Sequence, residues 1–439
     1  MDRVPEADAP LNQSYGWYVV FVLILAYSVS YVDRQILTLM VEPIKATLGI
    51  SDVQVSLLHG LAFAIFYTIL GVPIARLADR YRRVTIITTG VFVWSAMTAL
   101  CGITRNFGQL FAARIGVGVG EAALSPAAYS MLADYFDKKT LPKAMSVYTG
   151  AMYIGAGFAL IAGGVLIGMV PAMDLPVIGH VEPWQSVFVL VGAPGLLVGL
   201  LVATLREPAR RGAGTDPADF PSVGDLIAFL LARKRTYALM IFGFAASGMM
   251  WNGAIAWIAT FFIRDFGYTA SQIGLLFGLM LLTIGTASIA VGGWAASAMR
   301  ARGITDANLI LGIISAAIAL PFGVAAPLAG SAAVSLVLFA LFVFGGAMPY
   351  GCAAAAFQEI TPNRMRAQIS SIYFLGLNLA GIGLGPTVVA LCTEKVFARP
   401  DAIGAALSLT IGVSATLSIL LLTLARRPYR ATLAAFENV

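Results

Sequence analysis

Long apolar segments separated by short polar ones run along almost the whole chain. Most of them exceed the roughly 20 residues that an α-helix needs to cross a bilayer. Each segment therefore predicts a membrane-spanning helix, and the excess length predicts helices that tilt or extend beyond the bilayer. The predicted spans are 15–44, 53–77, 84–104, 107–136, 142–170, 184–205, 236–264, 270–299, 305–328, 331–358, 367–393 and 402–426.

The overall composition supports a membrane protein and argues against a soluble one. The 439 residues are 59% hydrophobic and only 11% charged, with a mean hydropathy of +0.86, whereas soluble domains carry about 25% charged residues. The first apolar segment is long enough to remain as a span, so we expect no cleaved signal peptide. The three cysteines and two histidines show no metal-ligand spacing, and we expect neither a metal nor a cofactor.

Lysine and arginine are concentrated in alternate polar segments. The N-terminal tail, every second loop after it and the C-terminal tail hold most of them, which predicts that both termini are cytoplasmic. The net charge of +6 is then explained by topology, and we expect no nucleic-acid partner. Short loops and the absence of a targeting signal favour the bacterial inner membrane.

One polar segment, 206–235, divides the spans into two groups of six. Its second half has an apolar cluster before Arg233, which is typical of an amphipathic helix at a cytoplasmic membrane surface, although a plain linker explains it equally. Glycines at 150, 155 and 157 recur at 376, 381 and 383, which indicates that the two halves are repeats. The predicted organisation is a cytoplasmic tail 1–14, a six-helix bundle 15–205, the linker 206–235, a second six-helix bundle 236–426 and a cytoplasmic tail 427–439.

Four charged residues lie deep inside predicted spans, away from the span ends: Asp33 and Arg34 in the first, Arg114 and Glu121 in the fourth. Each charge costs a few kcal/mol at bilayer depth, so such residues usually have a function. The alternative is a neutral network that only braces the helices. At about 1.5 Å per residue, Asp33 and Glu121 lie ~17–21 Å from the outer membrane surface, near the midplane where transporters bind substrates and ions. Arg114 precedes Glu121 by two helical turns, so both face the same way.

The segment between the second and third spans resembles a signature of the major facilitator superfamily. Leu77-Ala78-Asp79-Arg80-Tyr81-Arg82-Arg83 matches the family pattern at Asp79, Arg80 and Arg83, whereas Ala75 and Arg82 replace the usual glycines. In that family this loop latches two helix bundles together, so the resemblance implies a cytoplasmic gate formed by Asp79, Arg80 and Arg83. The alternative is that these arginines only set topology. The resemblance also implies the fold, an all-α membrane protein with twelve transmembrane helices in two pseudo-symmetric six-helix bundles.

Three stretches narrow the resemblance to the spinster-like branch of that family. They are Tyr31-Val32-Asp33-Arg34, Leu77-Ala78-Asp79-Arg80-Tyr81, and Gly118-Val119-Gly120-Glu121-Ala122 with Pro126. Spinster-like proteins are associated with the export of lysophospholipids and sphingosine-1-phosphate-type lipids. The resemblance therefore implies a monomeric secondary transporter that works by alternating access and is not an enzyme. Its partners would be the bilayer, an amphipathic lipid and protons.

In this interpretation Asp33 and Glu121 couple transport to protons, while Arg34 and Arg114 bind the acids or the substrate head group. A carboxyl group at that depth is either neutral or held ionised by an arginine. Protonation of one acid would therefore release an arginine for an anionic head group. A small organic anion or drug stays an alternative substrate, because the two arginines suit any carboxylate or phosphate. A lipid-modifying membrane enzyme is the remote alternative, since it would need a nucleophile and base that we do not find.

Methionine, aromatic and amide side chains in several spans are candidates for the wall of an amphipathic cavity. Ordinary helix packing explains each of them as well. The candidates are Tyr31, Trp251, Asn252, Met348, Tyr350 and Asn378.

Overall fold

The computed structural model describes residues 13–137, 140–175, 179–210, 223–362 and 365–437, and almost all of them are helical. In this part of the chain, eleven helical stretches are long and apolar enough to cross a membrane. The described strands form one antiparallel hairpin, β1 (Met173–Leu175) and β2 (Gly179–Val181), in which Asp174 pairs with His180. By their packing, the helices form two compact units.

Unit 1 consists of residues Met1–Thr215 and Thr269–Leu282. Its core is aliphatic and aromatic, with Trp94 and Tyr148 fully buried among valines and leucines. Its helices are α1 (Gln13–Gln35), a 3-10 turn (Ile36–Leu39), α2 (Val41–Leu48), α3 (Asp52–Ser56), a π-helical turn (Leu57–Leu61), α4 (Ala62–Arg80), α5 (Arg83–Cys101), α6 (Phe107–Glu121), α7 (Leu124–Tyr135), α8 (Leu141–Met169), α9 (Pro183–Ala203) and, after two helices of the other unit, α12 (Ala270–Met280).

Unit 2 consists of residues Asp216–Tyr268 and Thr283–Val439. Its core contains Tyr237, Phe244, Phe357 and Tyr373. Its helices are α10 (Val223–Ala232), α11 (Lys234–Phe266), α13 (Thr286–Ala301), α14 (Ala307–Ala325), α15 (Ala332–Ala347), α16 (Tyr350–Glu359), α17 (Arg366–Leu377), a π-helical turn (Asn378–Leu384), α18 (Gly385–Leu391), a second π-helical turn (Cys392–Val396) and α19 (Ile403–Glu437). The surface location predicted for the linker helix, which corresponds to α10, stays a prediction.

The predicted fourth span is interrupted in its middle. α6 ends at Glu121, and α7 begins only at Leu124. The N–H of Ala123 donates to the carbonyl of Gly120, three residues back, and Pro126 has no N–H to give to the carbonyl of Ala122. The break therefore places Glu121 at the last position of a helix rather than within a continuous span.

The last helix extends beyond its predicted end. The last span was predicted to finish at 426, where arginines lower the hydropathy, yet α19 continues to Glu437 through most of the predicted tail. Arg426 and Arg430 each donate to Asp306 at 2.7 Å, and the hydroxyl of Thr432 lies 3.2 Å from that of Thr236. These long-range contacts within unit 2 explain why the helix continues past its apolar part.

Candidate functional site

The central polar contact of unit 1 is an ion pair between Arg34 and Glu121. The Arg34 Nε donates to Glu121 Oε2 at 2.6 Å, its Nη2 forms a second contact with the same oxygen, and Ser30 Oγ donates to it at 2.5 Å. The Glu121 side chain is fully buried, whereas Arg34 keeps 18% of its side chain exposed. Arg34 is thus the part of the pair that a molecule arriving from solvent could reach.

Aromatic rings surround the guanidinium group of Arg34. Its carbon Cζ lies 4.2 Å from the ring centre of Phe63, 5.0 Å from that of Tyr67 and 5.2 Å from that of Tyr31. Such cation–π contacts are worth about 0.5–2 kcal/mol, depending on how far the site is desolvated. They would keep the guanidinium group in place if its ion pair with Glu121 were broken. They also provide apolar surface beside the positive charge.

Asp33 is fully buried next to this pair, and its carboxyl group is poorly satisfied. Neither of its carboxylate oxygens has a hydrogen-bond partner in the described part of the chain. The charged groups close enough to act on it are Glu121, Arg114 and Arg34, and Thr98 offers a nearby hydroxyl. Burying a polar group without a hydrogen bond is costly, so these two oxygens are acceptors that a proton or a donor could satisfy.

Arg114 is also buried, but it binds main-chain atoms. Its Nη1 donates to the carbonyl oxygen of Asp33 at 3.0 Å, and its Nε donates to that of Leu58 at 3.4 Å. Both acceptors lie where helix geometry is irregular, Asp33 close to the end of α1 and Leu58 in the π-helical turn before α4. Arg114 therefore ties α6 to these two segments and fixes the position of Asp33.

This arrangement could take up a proton and thereby release the contact between Glu121 and Arg34. Both oxygens of Asp33 and Oε1 of Glu121 are buried acceptors without a hydrogen bond among the described residues. A proton can therefore be added without breaking an existing hydrogen bond. Protonation of Glu121 would remove the negative charge that holds Arg34, and the guanidinium group would become available to an anion.

The predicted gate residues lie at one end of unit 1. Arg83 is 1% exposed and contacts Asp134 Oδ2, Glu207 Oε1 at 2.8 Å and the Ser130 hydroxyl at 3.0 Å, all within unit 1. Arg80 is exposed. The side chain of Asp79 lies outside those that the structure describes, and the role of all three in a gate stays a prediction.

The predicted cavity residues are spread over both units. In unit 1, Tyr31 is half-buried and packs edge-on against Tyr27 at 5.2 Å. In unit 2, Trp251 stacks on Phe342 at 6.1 Å, and Asn252 donates to the carbonyl of Gly248 at 2.9 Å. Asn378 begins a π-helical turn, and Met348 lines a cavity within unit 2. The side chain of Tyr350 lies outside those described.

Three residues of the site were not predicted from the sequence, namely Ser30, Phe63 and Tyr67. Ser30 precedes Arg34 by four residues and so lies on the same helix face, which is a signal that could have identified it. Phe63 and Tyr67 have the same spacing on α4. Only the packing of α4 beside α1 shows that their rings reach the arginine.

The known proteins to which this chain is similar are transporters. A sequence model described as Major Facilitator Superfamily matches residues 23–386. The MFS-type efflux pump of Mycolicibacterium smegmatis is 27% identical over 425 residues, which are 94% of this chain and 94% of the pump. A probable L-galactonate transporter of Escherichia coli is 25% identical over 291 residues, 63% of this chain and 60% of that protein.

Among solved structures, the chain is similar to a bacterial homologue of the human lysosomal transporter spinster in its inward-facing, unoccupied conformation. The TM-score is 0.79 and the sequence identity 27%, with 97% of this chain and 98% of that chain covered. The similarity thus extends over nearly the entire length of both proteins.

Proposed function

We propose a substrate class and a coupling mechanism for this chain, which belongs to the Major Facilitator Superfamily and is a transporter of its spinster-like branch, not an enzyme. The substrate is an amphipathic lipid, such as a lysophospholipid or a sphingoid lipid. Transport proceeds by alternating access and is coupled to protons.

The observation that carries this proposal is the partly exposed Arg34, held by a fully buried Glu121 and surrounded by three aromatic rings. A guanidinium group forms strong, charge-assisted hydrogen bonds with phosphate. The adjoining rings offer apolar surface to the first part of a lipid tail. One charged contact beside apolar surface is what an amphipathic substrate requires.

The proton step uses the two buried acids. Protonation of Glu121 frees Arg34 for the substrate, and loss of that proton restores the ion pair and expels the head group. Asp33, which has no hydrogen-bond donor of its own among the described residues, is the second proton acceptor. The sequence analysis also assigns a head-group contact to Arg114, and that role stays a prediction because the described contacts of its guanidinium group are with backbone carbonyls.

A small organic anion is the alternative substrate. It is favoured by the similarity to a probable L-galactonate transporter of Escherichia coli, because a sugar carboxylate would bind Arg34 as a phosphate does. The aromatic rings around Arg34 favour the lipid, since a small hydrophilic anion has no apolar part to place against them.

Proton coupling is tested with purified protein in liposomes, a labelled lysophospholipid and an imposed pH gradient. We expect gradient-driven transport that is lost in Asp33→Asn and in Glu121→Gln. Asp174→Asn is the matched control, because its side chain is 84% exposed in the hairpin, and it should transport normally. If transport does not depend on the pH gradient and is unchanged by both substitutions, the protein is a uniporter and the two carboxylates have only a structural role.

The substrate class is tested by ligand-induced thermal stabilisation, because a ligand that binds the folded state raises the unfolding temperature. We expect stabilisation that increases with tail length in a series of lysophospholipids and that is lost in Arg34→Met. Equal stabilisation by the isolated head groups would instead support the small-anion alternative.

The remaining parts of the proposal concern the membrane. The chain is an integral, multi-pass membrane protein. We propose that it resides in a bacterial inner membrane as a monomer with both termini in the cytoplasm, and that Asp79, Arg80 and Arg83 form its cytoplasmic gate.

A further inference from the structure

Unit 2 contains a cavity of about 500 Å³ between facing stripes of α13 and α16. On α13 the stripe runs from Ile289 through Gly293 and Ala296 to Arg300, and these residues recur at the spacing of one helix face. We call this cavity the slot. None of its lining residues belongs to the charged site of unit 1.

The residues that line the slot extend along both of its sides. Ile289 precedes Arg300 by eleven residues on α13, which corresponds to about 16 Å along a helix. On the facing side, Met348 precedes Glu359 by the same number of residues. A length of this kind suits a single extended chain rather than a compact molecule.

Glycine creates the room inside the slot. A Cβ added at Gly293 or Gly351 would meet no atom within 4 Å, whereas a Cβ at the neighbouring Gly292 would lie 2.6 Å from the carbonyl oxygen of Met348. The two segments therefore approach each other closely at Gly292 and Met348 and leave open space at Gly293 and Gly351. The inner part of the slot, near Ile289 and Met348, is lined by apolar side chains.

The other end of the slot carries an excess of positive charge. Arg300, Arg366 and one acid, Glu359, line it there. Glu359 accepts hydrogen bonds from Asn308 at 3.0 Å and from the hydroxyl of Tyr429, so two neutral donors hold it in addition to Arg300. Arg300, with 46% of its side chain exposed, can therefore share its guanidinium group between Glu359 and a second anion.

Arg366 supplies the second cation. Its Nε donates to the carbonyl oxygens of Gln358 at 3.0 Å and Thr361 at 3.2 Å. This anchors the side chain beside the C-terminal end of α16, and among the described residues its two Nη atoms have no partner and are open to a ligand. The exposed Gln358 side chain, which also lines the slot, adds an amide donor at the same end.

We infer that the slot is a binding site for a single-chain amphipathic anion. Its phosphate or carboxylate lies between Arg300 and Arg366, and its alkyl chain extends past Gly293 and Gly351 toward Ile289 and Met348. The charged end is the end that the arginine distribution predicts to face the cytoplasm. The inference concerns unit 2 alone, and it does not depend on whether the protein couples to protons or what it carries.

Cys352 lines the slot and provides a local reporter. In a Cys101→Ala, Cys392→Ala background, the full-length protein in phosphatidylcholine nanodiscs is treated with methyl methanethiosulfonate, and the rate at which Cys352 reacts is measured. Dodecyl phosphate at ten times its dissociation constant should slow the reaction about tenfold, because only the unoccupied fraction reacts. Inorganic phosphate, which lacks the chain, and dodecyltrimethylammonium, which lacks the negative charge, should not slow it.

Two groups of variants test the two ends separately. Arg300→Ala combined with Arg366→Ala should raise the concentration for half-protection by roughly tenfold to a hundredfold, since hydrogen bonds to charged groups are lost. Arg302→Ala is the control, because Arg302 is exposed and two residues from Arg300 but does not line the slot. Gly293→Leu, which adds a side chain into open space, should leave the unfolding temperature unchanged and make the reaction slow and insensitive to dodecyl phosphate.

The ligand could come from the membrane or from solution. To distinguish the two, a lysophosphatidate is placed in the nanodisc instead of adding an amphiphile from solution. Protection by either supports the inference and shows which side supplies the ligand. Equal protection by inorganic phosphate or by dodecyltrimethylammonium would overturn it. So would dodecyl phosphate protection that persists unchanged in both the double arginine variant and Gly293→Leu. Because the readout is confined to Cys352, failure here leaves the proposal for Arg34 and Glu121 untouched.

Discussion

The two units of this protein place their charges differently. Unit 1 has four charged residues well away from the ends of its predicted spans, Asp33, Arg34, Arg114 and Glu121, whereas all the charged residues in the predicted spans of unit 2 lie close to the span ends. At those ends the sign of the buried residue is also reversed. Unit 1 buries the cation Arg83 between two acids, while unit 2 buries the anion Asp306 between two arginines.

The difference in exposure matters more than the difference in sign. Arg83 is 1% exposed and its partners Asp134 and Glu207 are 8% and 18% exposed. Asp306 is fully buried, but its partners Arg426 and Arg430 are 35% and 50% exposed. Removing one partner of a buried pair is costly, whereas pairs with an exposed partner contribute little. Unit 1 should therefore depend on its charges for stability far more than unit 2 does.

The charges of the two units also differ in what they can do chemically. Buried charges at the mid-membrane depth predicted from the sequence could exchange protons and release a cation, and among the described residues only unit 1 has them. Charges at a span end, as at the mouth of the slot in unit 2, can bind an anion without being taken out of water completely. The proposed proton exchange and the inferred anion binding are thus assigned to different units and to different residues.

The largest effect that we predict is for Arg83→Met. This substitution leaves Asp134 and Glu207 without their cation, and breaking such a buried pair costs about 3–5 kcal/mol. The free energy of unfolding in detergent should fall by that amount. Arg82→Met is the matched control, because Arg82 is adjacent and exposed, and it should change little. If both variants lost the same free energy of unfolding, the burial of Arg83 would not matter for stability, and the contrast between the two units would be wrong.

Arg114→Met should cost less and should separate structural support from substrate binding. The carbonyl oxygens of Asp33 and Leu58 would each lose a donor, and buried acceptors left unsatisfied cost about 1–3 kcal/mol. We expect a lower unfolding free energy with a nearly unchanged half-saturating substrate concentration. Arg34→Met should do the opposite and weaken substrate binding more than stability. If Arg114→Met weakened binding instead, the head-group role predicted from the sequence would be correct.

Hydropathy was sufficient to predict most of the fold. The all-α membrane architecture and the family resemblance are confirmed. The first was predicted from a hydropathy pattern that extends over the entire chain, and the second from short motifs. The interruption after Glu121 was not predicted, because the apolar pattern continues through it and only the backbone geometry at Ala122 and Ala123 shows the break. The extension of α19 was missed because Asp306, which binds Arg426 and Arg430, is far away in the sequence.

The candidate site was predictable in its members but not in its pairing. Depth along the spans brought Asp33, Arg34, Arg114 and Glu121 into one group. Depth could not tell that Glu121 contacts Arg34 while Arg114 donates to the main chain. That choice depends on where α1 and the π-helical turn have irregular geometry, and neither irregularity leaves a clear signal in hydropathy.

Ser30→Ala is predicted to have a moderate effect within unit 1. The substitution removes one of the donors to Glu121 Oε2 and leaves both contacts from Arg34 in place. Hydrogen bonds to charged groups contribute about 1.5–3 kcal/mol, so the unfolding free energy should fall by an amount near the lower value. Ser28→Ala removes a hydroxyl from the same helix without touching Glu121 and serves as the control. If both variants behave alike, Ser30 takes no part in holding Glu121.

Asp306→Asn should have the smallest effect, and that effect should depend on pH and salt. Burial alone would raise the pKa of Asp306, but the hydrogen bonds from Arg430 and Arg426 outweigh it and lower the pKa below its usual value, which is about 3.9. A carboxyl group whose pKa is lowered by folding stabilises the protein above its unfolded pKa, and this contribution is lost as the pH falls through the folded value. The variant should therefore lose about 1 kcal/mol at neutral pH, since pairs with exposed partners are weak.

The measured quantity is the difference in unfolding free energy between the unchanged protein and Asp306→Asn across pH. It should stay constant at neutral and mildly acidic pH and shrink below about pH 4. High salt should also reduce it, because the Debye length falls to about 3 Å at 1 M, whereas the loss in Arg83→Met should persist. Asp401→Asn, in which an exposed side chain is changed, is the control. A difference that is large, salt-independent and unchanged in acid would mean that unit 2 relies on buried charge as unit 1 does.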